Sequence, residues 1–286
     1  RNWFQDDARV WIALATGIYG IALAFAGINL AQQRRYLRPV LFILIIGAWF
    51  FQTVGLTIRG YAVQACPLGN PFEILQFITW TMVGLFVLVF PFYRINLLGF
   101  FTTGLAFGLG LLSLIFPGWD HPYEEALFGG NPWVELHAAL AISSYGVFGL
   151  LSLIALMYLI QQYGLKSKHT NPFFRFLPSI YELDRVGMRL LSAGLVIFSS
   201  AILVGSLYWI PNFDNVSPIK LSTTLILWAA YLAAWFFRLR RRLVSKKFAW
   251  TCTALFCLAL LTLWPVDSSR NRIAAEAPAD KKEQRP

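Results

Sequence analysis

VWIALATGIYGIALAFAGINLA, residues Val10 to Ala31, contains no Asp, Glu, Lys or Arg. An uncharged apolar run longer than about 18 residues reads as a membrane-spanning helix, because about 20 residues rising 1.5 Å each cross the hydrocarbon core. The run is too long for the core of a signal peptide and lacks both a basic n-region and a small-residue cleavage pattern, so it reads as a retained helix. Comparable runs recur near 40–58, 73–92, 96–117, 133–162, 187–209, 219–237 and 248–265. The sequence therefore predicts an all-α, polytopic transmembrane bundle of about eight helices over residues 10–265. A short outer segment, 1–9, precedes it, and a disordered outer tail, 266–286, follows; Ala274 to Pro286 is rich in Ala, Lys, Glu and Pro.

Composition agrees. Hydrophobic residues make up 57% of the 286 and charged residues 13%, against about 25% charged in an ordinary soluble domain. A net charge of +10 would suggest nucleic acid in a soluble protein, but here its placement reports topology, and no nucleic-acid partner is expected. The odd-numbered loops carry Arg34, Arg35 and Arg38; Arg94; Lys166, Lys168, Arg175, Arg185 and Arg189; and Arg238, Arg240, Arg241, Arg242, Lys246 and Lys247. The even-numbered loops carry Arg59 and Lys220. The positive-inside rule makes the odd loops cytoplasmic, which puts both termini outside a cell inner membrane and makes membrane lipid the first partner.

The loops on the outer side are short and rich in turn formers: Cys66-Pro67-Leu68-Gly69-Asn70-Pro71 before the third span, and Pro117-Gly118-Trp119-Asp120-His121-Pro122-Tyr123 after the fourth. The longest cytoplasmic loop, Gly164 to Arg185, reads as including a short interfacial amphipathic segment. Trp3, Trp80, Trp119, Trp133, Trp209 and Trp264 fall at or near predicted helix ends, as in an interfacial belt. Trp119, Trp133, Trp209 and Trp264 share the outer side, where a flat aromatic shelf would suit a planar ligand. Cys66, Cys252 and Cys257 form no disulfide or metal framework; the last two, five apart on one helix, point in somewhat different directions and read first as small core residues and second as a redox pair.

Polar residues at membrane depth are costly, and each one asks for a reason. Asn70 followed by Pro71 reads as an N-cap with proline in the first turn, and Glu73 complements the macrodipole there. Glu135 does the same for the fifth helix. His137, about one turn into that helix and followed by Ala138, Ala139, Ala141, Ser143, Ser144 and Tyr145, is not explained by capping. Two readings stand: an imidazole ligand for haem iron, or an interfacial histidine bonded to a neighbouring helix. His121 is a second, weaker metal-ligand candidate beside a turn; His169, on the basic side, has no assigned role. Nucleotide-binding glycine loops, catalytic triads, paired-cysteine metal spacings and runs of charge within spans are absent from the sequence.

Four segments, in order, resemble the cytochrome c assembly protein family, the CcsA-, CcmC- and HemX-like haem-handling membrane proteins. They are Cys66-Pro67-Leu68-Gly69-Asn70-Pro71-Phe72-Glu73 through Trp80; Leu136-His137-Ala138 through Ser143-Ser144-Tyr145; Leu177-Pro178-Ser179-Ile180-Tyr181-Glu182-Leu183-Asp184 with Arg189, Gly194 and Gly205; and Pro218, Lys220, Trp228 and Tyr231. The tryptophan-rich loop of the family is reduced here to Trp209-Ile210-Pro211-Asn212-Phe213-Asp214, and two further family histidines have no counterpart, which suits the shorter HemX-like branch. The resemblance implies a factor in cytochrome c biogenesis that holds haem transiently at the outer face and is not an enzyme by itself, at most part of a haem lyase or delivery system. His137 would ligate iron, Trp119, Trp209 and Phe213 would pack on the ring, and Lys220 or Arg59 would meet the propionates. Haem, other biogenesis subunits and apocytochrome c are the implied partners. A scaffold or regulator of haem biosynthesis that binds no haem, and a small-molecule transporter, are the alternative roles.

Overall fold

The computed structural model describes residues 3–32, 38–93, 97–120, 131–167, 177–210 and 218–276, with side chains at 7–32, 39–89, 97–120, 131–167, 177–207, 210, 218–219 and 221–262. Eight long helices run α1 Trp3–Ala31, α2 Arg38–Val63, α3 Pro71–Tyr93, α4 Leu98–Ile115, α5 Pro132–Lys166, α6 Ile180–Trp209, α7 Pro218–Leu239 and α8 Ser245–Glu276, and no strand occurs among the described residues. Seven of them, α1 to α7, are long and apolar enough to cross a membrane. The eighth expected span, 248–265, lies on α8 and runs past the described side chains. This is a multi-pass helical membrane bundle.

Boundaries moved where capping outweighs hydropathy. Helix α6 begins at Ile180, not near 187, because the Ser179 hydroxyl accepts from the Glu182 N–H (3.2 Å) and caps a polar first turn. The interfacial segment expected between α5 and α6 falls mainly on 168–176, outside the described residues. Helix α8 continues unbroken to Glu276.

The helices form two groups. One contains α1 to α4, in which α1 packs on α2 and α4, and α3 packs on α2 and α4; the other contains α5 to α8, and α3 against α5 joins them. Helix α5 is the axle, packed on α3, α6 and α8. Within its apolar window 72% of residues are buried by other helices, and no other span exceeds 56%. Close approach explains this at Gly146, where a Cβ would stand 2.7 Å from Thr81 and 2.9 Å from the Met82 backbone nitrogen, so only hydrogen lets α3 and α5 meet.

Polar side chains fasten each group. Tyr19 donates to Gln52 (3.0 Å), Gln52 to Gln76 (2.8 Å) and Gln76 to Ser113 (2.8 Å), a buried chain through α1, α2, α3 and α4. The indoles of Trp228 and Trp235 on α7 donate to Ser199 (2.9 Å) and Ser192 (3.0 Å) on α6. Both partners repeat after seven residues, so antiparallel helices keep the pairs in register. Trp80 corrects the interfacial-belt reading: it lies in the middle of α3, stacks on Trp49 at 5.7 Å and donates to Thr53 (2.7 Å), packing two helices together.

Candidate functional site

Because successive helices alternate in direction, the start of α1, the end of α2, the start of α3, the end of α4 and the start of α5 meet at one end of the bundle. They carry the first two of the four motif segments, and we call this the motif end. The start of α3 is built as the sequence predicts. Asn70 Oδ1 accepts from the Glu73 N–H (2.8 Å), and Glu73 Oε2 reaches back to accept from the Gly69 N–H (2.8 Å), a reciprocal cap that also satisfies a loop donor.

Beyond the cap, Glu73 has a role that capping does not require. Its Oε1 accepts from Arg59 (3.2 Å), and Arg59 also grips Asp120 with both terminal nitrogens (2.7 and 2.8 Å). Arg9 adds a bond to Asp120 (2.9 Å) and one to the Leu114 carbonyl (3.1 Å). The buried Phe72 ring lies under both guanidinium groups, 4.5 Å from Arg59 and 5.5 Å from Arg9. Arg59 and Glu73 are each 2% exposed. Two cations thus face two carboxylates, which is the condition under which charges tolerate burial. Burial alone would push the Asp120 carboxyl up, but the Arg59 hydrogen bonds and charge, joined by Arg9, outweigh it and hold the group below the usual carboxylate range.

Asp120 follows a short 3-10 turn, Pro117–Trp119, whose Trp119 ring stacks on Phe116 at 4.7 Å and packs on an apolar cluster of Leu68, Ile74, Leu75, Ile78, Leu109 and Ile142. Arg9, Arg59 and Asp120 therefore tie down the segment that carries Trp119. Cys66, also in this region, donates its backbone N–H to Glu135 (3.4 Å). Burial, with the Glu135 and Glu73 carboxylates nearby, pushes its thiol up to about 11, which keeps it neutral and weakly nucleophilic at pH 7.

His137 stands on the first turns of α5, half-buried, against α6. Its Nδ1 lies 2.6 Å from the Ala201 carbonyl oxygen. A carbonyl only accepts, so Nδ1 carries the proton, and in the neutral ring the lone pair is then on Nε2; no bond to Nε2 occurs among the described residues. The ring fits because position 205 is glycine: a Cβ there would stand 2.5 Å from Nδ1. A backbone carbonyl that accepts from one imidazole N–H while the other nitrogen keeps its lone pair is the usual support of a metal-ligating histidine.

The other motif residues act in packing. Gly194 leaves room for Phe148, whose Cε1 would lie 2.4 Å from an added Cβ, and Phe148 stacks on Tyr231 at 3.8 Å. Asp184 pairs with Arg238 across α6 and α7. Among the predicted haem-contact residues, His137 and Trp119 both belong to the motif end, Ala138 and Ala139 after the histidine packing on the cluster that holds Trp119. Arg59, expected to meet propionates, is buried and bonded to two carboxylates, so it does not present a free guanidinium there. His121 and Phe213 and the side chains of Trp209, Lys220 and Trp264 lie outside the described residues. No group of three His, Cys, Asp or Glu side chains that could hold a metal occurs among the described residues.

Sequence reading missed the Arg59–Asp120–Arg9 union and the Gln52–Gln76 chain. It placed Arg59 in an outer loop; the residue lies instead within α2, buried and paired with Glu73 of α3. Two glutamines inside apolar runs were the available signal for the second, since each must find a partner in lipid. The first had none, because its members are separated by 50 or more residues, as with Arg59 and Asp120 at a separation of 61.

Comparison with known proteins bears on the same motifs. The chain is 28% identical to Protein HemX of Brevibacillus brevis over 208 residues, covering 72% of this chain and 73% of that protein. It is 27% identical to Protein HemX of Bacillus subtilis (strain 168) over 263 residues, 88% of this chain and 92% of the other. It is also 27% identical over 149 residues to the cytochrome c biogenesis protein CcsA of Mesostigma viride, 51% of this chain and 47% of that one. The model of the cytochrome C assembly protein family matches residues 68–273, from the capped start of α3 into α8. With that match covering the reciprocal cap, the buttressed histidine and the glycine beneath it, the chain belongs to the cytochrome C assembly protein family.

Proposed function

We propose that this protein is an integral membrane factor in cytochrome c biogenesis that binds or presents haem, as cargo, at the outer face of a cell inner membrane. The motif end is that outer face, and both termini lie on its side. The observation that carries the reading is the state of His137: Nδ1–H bonded to the Ala201 carbonyl, Nε2 presented, and Gly205 making room for the ring. Neutral imidazole is a good axial ligand for haem iron, and Trp119, held by the Asp120 clamp, supplies an aromatic surface at the same end of the bundle. Trp209 and Phe213 complete the shelf, with Lys220 as the cation for the propionates. His121 is the candidate for a second axial position. Its partners are apocytochrome c or other biogenesis subunits. Haem titration of the purified protein tests this. The expected result is a Soret band that His137→Ala abolishes and Trp119→Ala weakens; an unchanged spectrum in the His137 variant removes the ligand assignment.

A second reading is a HemX-like membrane scaffold or regulator that binds no haem. Commitment of Arg59 to Glu73 and Asp120 favours it, since one of two expected propionate partners is thereby withdrawn. Colourless protein that fails to take up haem and co-purifies with a biogenesis subunit would establish this reading over the first.

A further inference from the structure

At the opposite end of the bundle, helices α7 and α8 are joined by a turn of unusual charge. Residues Arg238 to Trp250 hold six cations and no acid. Arg238 is consumed internally: it donates to the Leu243 carbonyl (2.7 Å) and the Ser245 hydroxyl (2.8 Å), pairs with Asp184 of α6 and lies 5.4 Å over Phe248. Arg241 takes a left-handed conformation, φ 55°, and the Arg242 and Leu243 N–H groups return to the Phe237 carbonyl (3.0 and 3.2 Å). The turn is therefore a formed object, pinned from inside by one arginine.

The remaining five, Arg240, Arg241, Arg242, Lys246 and Lys247, are all exposed, and none is in an ion pair among the described residues. Five like charges within eight residues repel one another unless an anionic surface faces them. Their depth says which surface. Phe236 and Phe237 on α7 are exposed just before the turn, and Trp250 on α8 is exposed just after it, aromatic anchors of the kind that sit at the boundary between acyl chains and headgroups. Arg240 folds back so that its guanidinium lies over the Phe236 ring at 5.0 Å, beside one of these aromatics. A crown of cations one step beyond interfacial aromatics lies at the phosphate layer. A soluble acidic protein would need no aromatics flanking the crown.

We propose that the α7–α8 turn is a binding site for the phosphates of anionic phospholipid headgroups, with Arg240, Arg241, Arg242, Lys246 and Lys247 as its contacts and Arg238 as the residue that shapes it. The test uses the full chain in nanodiscs of either phosphatidylcholine alone or equal parts phosphatidylcholine and phosphatidylglycerol. Both leaflets are open there, so the direction of insertion does not matter. Native mass spectrometry should find phosphatidylglycerol retained preferentially by the wild type. Because one basic residue near an anionic surface is worth about fivefold in affinity, Arg241→Gln/Arg242→Gln/Lys246→Gln should lose about a hundredfold, while Arg241→Lys/Arg242→Lys/Lys246→Arg should retain most of the preference. Equal retention of the two lipids by the wild type, or an undiminished preference in the glutamine variant, overturns the proposal. Displacement of the lipid by millimolar inorganic phosphate would make the site one for free phosphate, and displacement by soluble polyglutamate one for acidic protein; either also overturns it.

Discussion

The two ends of the bundle use the same residue types in opposite ways. At the motif end, Arg9 and Arg59 meet Asp120 and Glu73 in a neutral group, buried at Arg59 and Glu73 and half-buried at Arg9 and Asp120, that joins α1, α2, α3 and the segment after α4. At the basic end, Arg238 pairs with Asp184, and five further cations of the α7–α8 turn stand exposed with no ion pair among the described residues. Burial removes water as a fallback, so a buried charge must be answered within the protein, whereas an exposed one is free to answer something outside it. The first end therefore fixes position, and the second offers contact.

The largest expected effect breaks the buried end. Asp120→Ala leaves Arg59 and Arg9 without their shared carboxylate and should cost about 3 kcal/mol, read as a lowered unfolding midpoint in detergent. Arg59→Met alone, which strands Asp120 and Glu73 instead, should cost a similar amount. Arg59→Met combined with Asp120→Asn and Glu73→Gln should recover much of the loss; no recovery would mean that the charges are not what joins these helices. Next comes Gly205→Ala, whose methyl must displace the His137 ring. It should cost about 1–3 kcal/mol by overpacking and should weaken any haem spectrum as His137→Ala does, without touching the imidazole chemically.

A pH series sharpens the same contrast. The Asp120 carboxyl has a lower pKa folded than unfolded, so its contribution is complete above the ordinary value of about 3.9 and is lost as pH falls through the lower folded value. Thermal stability should hold from pH 7 to about 4 and drop below, and Asp120→Asn should flatten that drop. At the alkaline side Cys66 behaves oppositely in sign: its thiol is raised to about 11, so folding weakens as pH climbs from the ordinary value of about 8.5 toward 11. Alkylation of Cys66 should stay slow at pH 8 and accelerate only near pH 11. The smallest effect belongs to the basic end, where Arg241→Gln with Arg242→Gln should change unfolding by less than about 0.5 kcal/mol in detergent, since both side chains are exposed and pair with no described residue.

How far the sequence reached differs between these regions for the same reason. The cap at Asn70 and Glu73 was legible because a cap is local: donor and acceptor lie within three residues. That His137 needs a partner beyond its own helix was legible as well, because an imidazole among small residues at a helix start has no local explanation. Its tautomer was not, since the carbonyl that decides it belongs to Ala201, on another helix. The expected use of Arg59 for propionates was reasonable for the single arginine of the even-numbered loops, and only folding showed two carboxylates already holding it.

The sequence by itself determined the eight helices, most of their ends and the family, because hydropathy, capping and motif order are properties of neighbouring residues in one chain. Tertiary structure alone decided which polar groups answer one another: the Tyr19–Gln52–Gln76–Ser113 chain, the Trp–Ser pairs between α6 and α7, and the Arg59–Asp120 clamp. In the membrane interior no water completes an unmet bond, so partnership is set by which helices touch, and contact between helices is not written in any single stretch of the chain.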